Sequence, residues 1–268
     1  MKLAISNIAW NDNHNHYYEL MQQCGFSGLE IAPTKFSSNP YDNLAVAEQV
    51  KKDLLKYDLL VVSMQSLLFG TDGLALFTTT EARDQLKAYL KKAILYAEVI
   101  GCPVLVFGNP KNRIARDLES QYSIALEFFK ELGDFAHVHN TCLCIEPNPE
   151  AYGTNFINTL AQANQLVNDV DSLGFAMIID SSTMLINQDS PTSILDVLPN
   201  TKHIHLSMPF LKPLNQEFDK YTNWIDDFIK TIKSSTYPHY LSIEMANVAP
   251  EDINQSLDIL RKLAESNV

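Results

Sequence analysis

The sequence predicts an α/β protein built as a single (β/α)8 barrel over residues 1–268. Short β-branched or apolar runs alternate along the chain with longer amphipathic stretches, and eight such pairs can be counted. This alternation is typical of parallel strands whose connecting helices pack against them. The chain has 268 residues, of which 46% are apolar, so one large core can be buried without a second domain.

The eight units can be placed approximately from the apolar runs and the stretches between them. Strands are predicted at 2–7, 28–32, 59–64, 103–107, 141–146, 175–180, 202–207 and 240–245. Helices are predicted at 14–23, 42–57, 80–100, 114–138, 156–170, 190–198, 218–233 and 250–265. Gly25 and Gly101 follow two of these helices, and Pro191 and Pro250 stand at the starts of two others, as is usual at helix ends.

An open, doubly wound sheet would show the same alternation of strands and helices. Such sheets usually carry a glycine-rich phosphate loop after the first strand, but no such loop follows here and the whole chain has nine glycines. The closed barrel is therefore preferred. In barrels of this kind, reactive residues stand at the carboxyl ends of the strands or in the loops that follow.

Four acidic or basic residues occupy that position late in the chain. They are Glu146 in CLCIEP, Asp180 in FAMIID, His205 in HIHLS and Glu244 in LSIEM. Carboxylate oxygens with one imidazole suit a divalent ion such as Mn²⁺, Mg²⁺, Co²⁺ or Zn²⁺. If the barrel brings these side chains together, they form a site for moving protons next to a carbonyl.

Each of these residues also has a structural interpretation. Glu146 and Glu244 follow apolar runs, where an unpaired carboxylate would be costly, so each could instead belong to a buried ion pair. Asp180 begins the run Asp-Ser-Ser-Thr and could cap the next helix. His203 and His205 share one strand face, and a strand histidine is often a hydrogen-bonded core residue.

Three residues outside this set are candidates for contact with the substrate. Glu30 ends the second predicted strand and could face the same mouth, or pair with a loop residue. Lys111 and Arg113, in the loop after VLVFGNP, could hold an anionic or hydroxylated substrate, or belong to a solvated loop face.

Composition and charge limit the class of protein. A net charge of −12 discourages binding to nucleic acid, which relies on basic patches, so a small molecule is the expected partner. No apolar run reaches the roughly 18 residues that a membrane helix needs, and the start MKLAISNIAW looks like a strand, so we expect a soluble, cytoplasmic protein. Cys142 and Cys144 lie two apart in a predicted buried strand, so we expect reduced core thiols rather than a disulfide or metal pair.

Several segments together resemble a known family over essentially the whole chain. They are GFSGLEIAPTKF, SMQSLLFG, VLVFGNPKNR, IEPNPEAYGTNFINT, HIHLS and YLSIEM. The chain is similar to the xylose isomerase-like TIM barrels, which include sugar phosphate isomerases and epimerases, inosose dehydratases and endonuclease IV. The resemblance is strongest to the sugar isomerase/epimerase branch that carries EPNP-x-x-YG-x-x-F.

The resemblance implies a metal-dependent isomerase or epimerase that acts on a small sugar, a sugar phosphate or a sugar-derived keto compound. One divalent ion would be held by Glu146, Asp180, His205 and Glu244, and Glu146 and Glu244 would also serve as the acid/base pair. No organic cofactor is implied, and a homo-oligomer is left open. Residues assigned to substrate binding are Glu30, Gln65, Lys111, Arg113 and His203.

Two positions depart from the pattern of the family. Sugar epimerases often carry Asp-x-x-His at the sixth strand, where this chain has Thr183, and His-x-Ser-Glu-Pro after the seventh, where it has Met208. These departures keep open a barrel that binds a sugar or a partner without catalysis. A dehydratase and an endonuclease IV-like hydrolase are also compatible with the fold, although the acidic charge and the small number of histidines oppose the hydrolase.

Overall fold

The eight strands close into a parallel barrel in a computed structural model that describes residues 1–246 and 248–266. Each strand pairs with the next along the chain, and the last pairs with the first through Leu3 and Leu241. The strands are β1 (Lys2–Ser6), β2 (Gly28–Ile31), β3 (Leu60–Met64), β4 (Val104–Phe107), β5 (Cys142–Ile145), β6 (Phe175–Asp180), β7 (Thr201–Ser207) and β8 (Tyr240–Glu244). The predicted (β/α)8 barrel is confirmed, and every predicted strand lies within one or two residues of an observed one.

In the described residues, one α-helix follows each of the eight strands, and the helices surround the barrel. They are α1 (His14–Gln23), α2 (Leu44–Leu55), α3 (Thr80–Ile100), α4 (Leu118–Val138), α5 (Leu160–Val170), α6 (Ser181–Asn187), α7 (Leu214–Ser234) and α8 (Pro250–Glu265). The predictions at 14–23, 80–100 and 250–265 match to the residue. Helix α3 begins after the Thr79 cap and ends at Gly101, whose φ of 81° is a left-handed conformation that glycine adopts without strain.

The prediction of a helix at 190–198 is wrong. The α-helix of this unit begins at Ser181, directly after β6, because the Asp180 carboxylate accepts hydrogen bonds from the main-chain N–H groups of Ser182 and Thr183. Residues Pro191–Asp196 form a 3₁₀ helix instead. Helix starts predicted at 114 and 156 also shift, to Leu118 and Leu160, because Asp117 and Thr159 provide the caps.

The core has a large layer between the strands and helices and a smaller cluster inside the barrel. The inner cluster is apolar and comes from three neighbouring strands, with members Val104, Val106, Cys142, Cys144, Ala176 and Ile178. Cys142 and Cys144 are free, buried thiols, as expected. In the part of the chain that the structure describes, no helix is long and apolar enough to cross a membrane.

Candidate active site

Five ionisable side chains meet at the carboxyl ends of the barrel strands. Glu30 lies in β2, Glu146 directly follows β5, Asp180 ends β6, His205 lies in β7 and Glu244 ends β8. Parallel strands in a closed barrel place the last four positions around one mouth, and all five residues are at least partly buried.

The His205 imidazole is at the centre of this group. Its Nδ1 lies 3.1 Å from a Glu146 carboxylate oxygen and 3.4 Å from a Glu244 carboxylate oxygen. Ligand atoms of these three residues all lie within 4.8 Å of one another. Three of the four residues predicted to hold a metal ion are therefore within reach of one ion.

The electrostatics of this cluster suit a cation. Burial raises the pKa of Glu244 well above its ordinary value, and the negative charges of Glu146, Asp180 and Glu30 raise it further. The positive charge of His205 lowers this pKa but does not offset the other causes. Carboxylates that face one another repel when ionised, and a divalent cation among them would remove that penalty.

Asp180, the fourth predicted ligand, is held by local hydrogen bonds. Its two oxygens accept from the main-chain N–H groups of Ser182 and Thr183, at 3.2 and 3.1 Å, and from the Ser182 hydroxyl at 2.6 Å. The hydroxyls of Thr183 and Ser207 also donate to it. Asp180 is thus a helix cap, and its role as a metal ligand stays a prediction.

Glu30 lies beneath the His205 ring, on the side away from Glu146. One of its oxygens is 2.9 Å from Nε2 of His205 and 3.4 Å from Nε2 of His203. The hydroxyls of Ser63 and Ser242 donate to its two oxygens. The Glu30 side chain is 0% exposed, so in this structure it contacts only protein groups rather than the open mouth.

The titration behaviour of this buried network follows from its geometry. Burial alone would raise the pKa of Glu30, but the charges of His205 and His203 and hydrogen bonds to both rings hold that pKa well below its usual range. Burial would lower the pKa of His205, but the Glu30 and Glu244 carboxylates, with hydrogen bonds to Glu146 and Glu30, raise it well above its ordinary value. Burial lowers the pKa of His203.

Gln65 and His203, both predicted to bind substrate, are buried beside this network. Gln65 donates from its amide nitrogen to the Ser6 hydroxyl at 2.8 Å and is 5% exposed. His203 is 1% exposed, and its Nε2 lies 3.2 Å from the Ser63 hydroxyl. Their contact with a substrate stays a prediction, since both are engaged with protein groups here.

Lys111 and Arg113 separate into two environments although they are two residues apart. Lys111 is exposed, whereas Arg113 is 0% exposed and donates from Nη2 to the main-chain carbonyl of Glu146 at 2.6 Å. Among the described residues, Nε and Nη1 of Arg113 have no hydrogen-bond partner. Burial lowers the pKa of Arg113 to about 10, against the Glu146 charge, which raises it. Arg113 therefore places a cation behind Glu146 and does not belong to a solvated loop face.

Two further features of the site were not found from the sequence. Gly108 follows β4 and packs directly against the Glu146 carboxylate, because a Cβ atom at this position would lie 1.8 Å from a Glu146 oxygen. Tyr152, in the loop after β5, is hydrogen-bonded to Ser182 beside Asp180. The Gly in VLVFGNP and the Tyr-Gly pair in EPNPEAYG are visible in the motifs, but only the folded loops show what they contact.

The departures at Thr183 and Met208 have clear structural consequences. The Thr183 hydroxyl lies 3.0 Å from the main-chain carbonyl oxygen of Pro147 and 3.0 Å from an Asp180 carboxylate oxygen, so its single proton is shared between these two acceptors and supports the Asp180 cap. Met208 is 0% exposed and adds an apolar side chain just after β7. Neither residue adds a charge to the site.

The family assignment follows from comparison with known proteins. A model of the xylose isomerase-like TIM barrel family matches residues 18–263. The chain belongs to this family. No curated protein sequence matches the chain.

Solved structures of two sugar epimerases and of a zinc-bound protein share the fold of this family member over 99% of the chain. Apo 3-keto-D-glucoside 4-epimerase, YcjR, from E. coli is 19% identical with a TM-score of 0.79, covering 99% of this chain and 100% of that one. D-psicose 3-epimerase with D-tagatose from Clostridium cellulolyticum H10 is 16% identical with a TM-score of 0.81, covering 99% and 100%. The IolI protein with a bound zinc atom is 15% identical with a TM-score of 0.69, covering 99% and 95%.

The close packing of Gly108 on Glu146 leads to one expected result. We expect Gly108→Ala to weaken Mn²⁺ or Co²⁺ binding by about 10-fold or more, because the new methyl group displaces the Glu146 carboxylate from the cluster. The melting temperature should barely change, since the end of a flexible side chain can rotate away. Metal titration and thermal melting of the two proteins measure these effects, and an unchanged metal affinity would contradict this role of Gly108.

Proposed function

We propose that the protein is a divalent-metal-dependent isomerase or epimerase that acts on a small sugar or sugar-derived keto compound. The observation that carries this proposal is the cluster of Glu146, His205 and Glu244, whose ligand atoms lie within 4.8 Å of one another at the mouth of the barrel. The epimerases among its structural neighbours support the same class of reaction.

The metal site is proposed to consist of Glu146, Asp180, His205 and Glu244. Oxygen donors with one imidazole nitrogen fit Mn²⁺, Mg²⁺, Co²⁺ or Zn²⁺, and the mutual repulsion of the carboxylates around Glu244 fits a cation. When bound, such an ion supplies Lewis-acid polarisation of a carbonyl group.

Glu146 and Glu244 are proposed to move the proton. Their side chains are 14% and 10% exposed, so both are reachable from the mouth but mostly shielded from water. One carboxylate removes the proton from the carbon beside the carbonyl, and the other returns a proton to the opposite face or to the neighbouring carbon. No residue of the protein needs to form a covalent bond to the substrate.

The network below the cluster is proposed to orient His205. Glu30 binds Nε2 of the imidazole at 2.9 Å, so Nε2 keeps its proton and Nδ1 faces Glu146 and Glu244. Glu30, which the sequence predicts to bind substrate, is thereby assigned to positioning the ring. The cytoplasmic location and a homo-oligomer stay predictions.

Metal content tests the proposal. Elemental mass spectrometry of the purified protein should find about one divalent ion per chain, and a His205→Ala/Glu146→Gln double variant should lose it, because two of the proposed donors are gone. His139 and Glu98 form an exposed pair at 2.8 Å, so His139→Ala/Glu98→Gln is a control matched in residue types. Metal in neither protein after reloading with Mn²⁺ or Co²⁺ would favour a barrel without catalysis.

A further inference from the structure

Two aromatic side chains stand beside the proposed metal site and have no role in the chemistry so far. Tyr152 lies in the loop after β5, six residues after Glu146, and Phe210 lies in the loop after β7, five residues after His205. Their rings pack edge to face with centroids 5.6 Å apart. We call this pair the aromatic wall.

The Tyr152 hydroxyl links its own loop to the loop after β7 and to the first turn of helix α6. It accepts a hydrogen bond from the main-chain N–H of Phe210 at 2.9 Å and lies 3.1 Å from the Ser182 hydroxyl, which follows β6. The Ser182 hydroxyl donates its single proton in a hydrogen bond to Asp180 at 2.6 Å, so in the contact between Tyr152 and Ser182 the Tyr152 hydroxyl is the donor. A directed chain of hydrogen bonds therefore runs from the Phe210 backbone through Tyr152 and Ser182 to Asp180.

The backbone around Phe210 is held in an unfavourable conformation. Phe210 has φ 62° and ψ 30°, and Leu211 has φ 55°. Both residues lie in the left-handed region of backbone conformation, which residues other than glycine rarely adopt. The Tyr152 hydroxyl holds the first of these residues, and the main-chain N–H of Ala246 holds the second by donating to the Leu211 carbonyl at 2.9 Å. Such strain persists only where several contacts fix it, and it is concentrated at functional sites.

This conformation leaves the large side chain of Phe210 facing solvent. Phe210 is 64% exposed, whereas Met208, two residues earlier, is 0% exposed. An exposed phenylalanine costs solvation free energy that a bound apolar surface would recover. A sugar offers such a surface on the face of its carbon chain or ring that carries C–H bonds, while its hydroxyls remain free for polar partners.

The geometry points to the aromatic wall as a substrate subsite that packs against the C–H face of an uncharged sugar, with the Tyr152 hydroxyl fixing Phe210 in place. This inference rests on the proposed function for the identity of the ligand as a sugar. Tyr152 also stays a neutral hydrogen-bond donor near neutral pH, because burial raises its pKa above the ordinary value despite the opposing effect of its hydrogen bonds with Ser182 and Phe210.

Sugar binding by the metal-loaded protein tests the aromatic wall. The probes are D-fructose and D-ribulose, with Kd measured by isothermal titration calorimetry. Phe210→Ala should weaken sugar binding about tenfold, since it removes the ring, and Phe210→Tyr should restore it. Tyr152→Phe keeps the aromatic ring but removes the hydroxyl that accepts from the Phe210 main-chain N–H, so it should weaken sugar binding several-fold. The Mn²⁺ affinity should be unchanged in the two Phe210 variants, which leave the hydrogen bonds of Asp180 intact.

Controls separate this role from a structural one. Tyr122 donates from its hydroxyl to Asp169 at 2.8 Å on the outside of the barrel, so Tyr122→Phe removes a comparable hydrogen bond and should leave the sugar Kd unchanged. Leu173 is 83% exposed, in the turn before β6 at the other end of the barrel, and Leu173→Ala should also have no effect. Loss of metal affinity in parallel with sugar affinity in Phe210→Ala would indicate a structural role and overturn the inference.

The outcomes distinguish this inference from the proposed function. Equal sugar Kd values for the native protein and Phe210→Ala would overturn the aromatic wall, even if proton exchange on the sugar is observed. No sugar binding by the native protein would overturn it as well. So would a Phe210→Ala variant whose oligomeric state changes in analytical sedimentation while its sugar Kd stays the same. Binding that depends on Phe210 without any proton exchange would support the wall and reject the isomerase.

Discussion

Replacement of Glu146 or Glu244 by glutamine is expected to abolish exchange of the sugar proton next to the carbonyl while the barrel stays folded. An amide cannot accept that proton, and loss of a general acid or base typically costs about 10²- to 10⁴-fold in rate. We expect each single variant to fall at least about 100-fold. The measurement is deuterium incorporation from D₂O into a ketose by NMR, with the Mn²⁺-loaded protein.

A neighbouring acid provides the control for this experiment. Glu150 is exposed in the 3₁₀ turn that follows Glu146 by four residues, so Glu150→Gln makes the same chemical change in the same loop without touching the cluster. It should exchange protons at the native rate. Circular dichroism should show the same fold in all variants. Undiminished exchange in Glu146→Gln or Glu244→Gln would remove that residue from the mechanism.

Removal of the Glu30 carboxylate is expected to be strongly destabilising. Glu30 is 0% exposed, and its low pKa beside a His205 of raised pKa marks a buried ion pair in the metal-free protein. Glu30→Ala leaves the imidazolium of His205, the His203 ring and two serine hydroxyls without their acceptor. Breaking a buried pair by removing one partner costs about 3–5 kcal/mol, and we expect a loss in that range in urea unfolding.

The same residue type on the surface gives the comparison. Glu131 accepts from Lys87 at 2.6 Å and from Lys91 at 2.7 Å, with a side chain that is 45% exposed, so Glu131→Ala should cost no more than about 1 kcal/mol. Glu30→Gln should cost less than Glu30→Ala because the amide oxygen still accepts a hydrogen bond. A Glu30→Ala variant as stable as Glu131→Ala would show that the buried network contributes little to the fold.

The strand pattern is enough to place most of the proposed site, because the position of a residue at a strand end follows from the apolar run before it. Glu146, His205 and Glu244 meet for that reason. The sequence could not show that Glu30 lies beneath His205. Its depth depends on the stagger between strands, and the register of β2 against β3 shifts between Leu29 and Glu30.

The direction in which side chains point in loops is the other property that the sequence does not predict. Arg113 follows Lys111 in a polar run that predicts a shared environment, but the chain turns Arg113 inward to the carbonyl of Glu146. The Asp-Ser-Ser-Thr run has the pattern of a cap, yet Ser190-Pro191, about ten residues later, also has the pattern of a helix start and predicts the wrong one. Where two neighbouring segments both have the sequence pattern of a helix start, only tertiary packing determines which of them begins the α-helix.

The two halves of the barrel interior should differ in how freely they can change over evolutionary time. The apolar half, formed by β4, β5 and β6, includes Val106, Cys144 and Ile178, and exchanges of similar volume there would break no ion pair. The other half contains Glu30 and its partners, where nearly any exchange leaves a buried charge or donor without an acceptor. Substitutions inside the barrel, below the mouth, should therefore collect on the side formed by β4, β5 and β6.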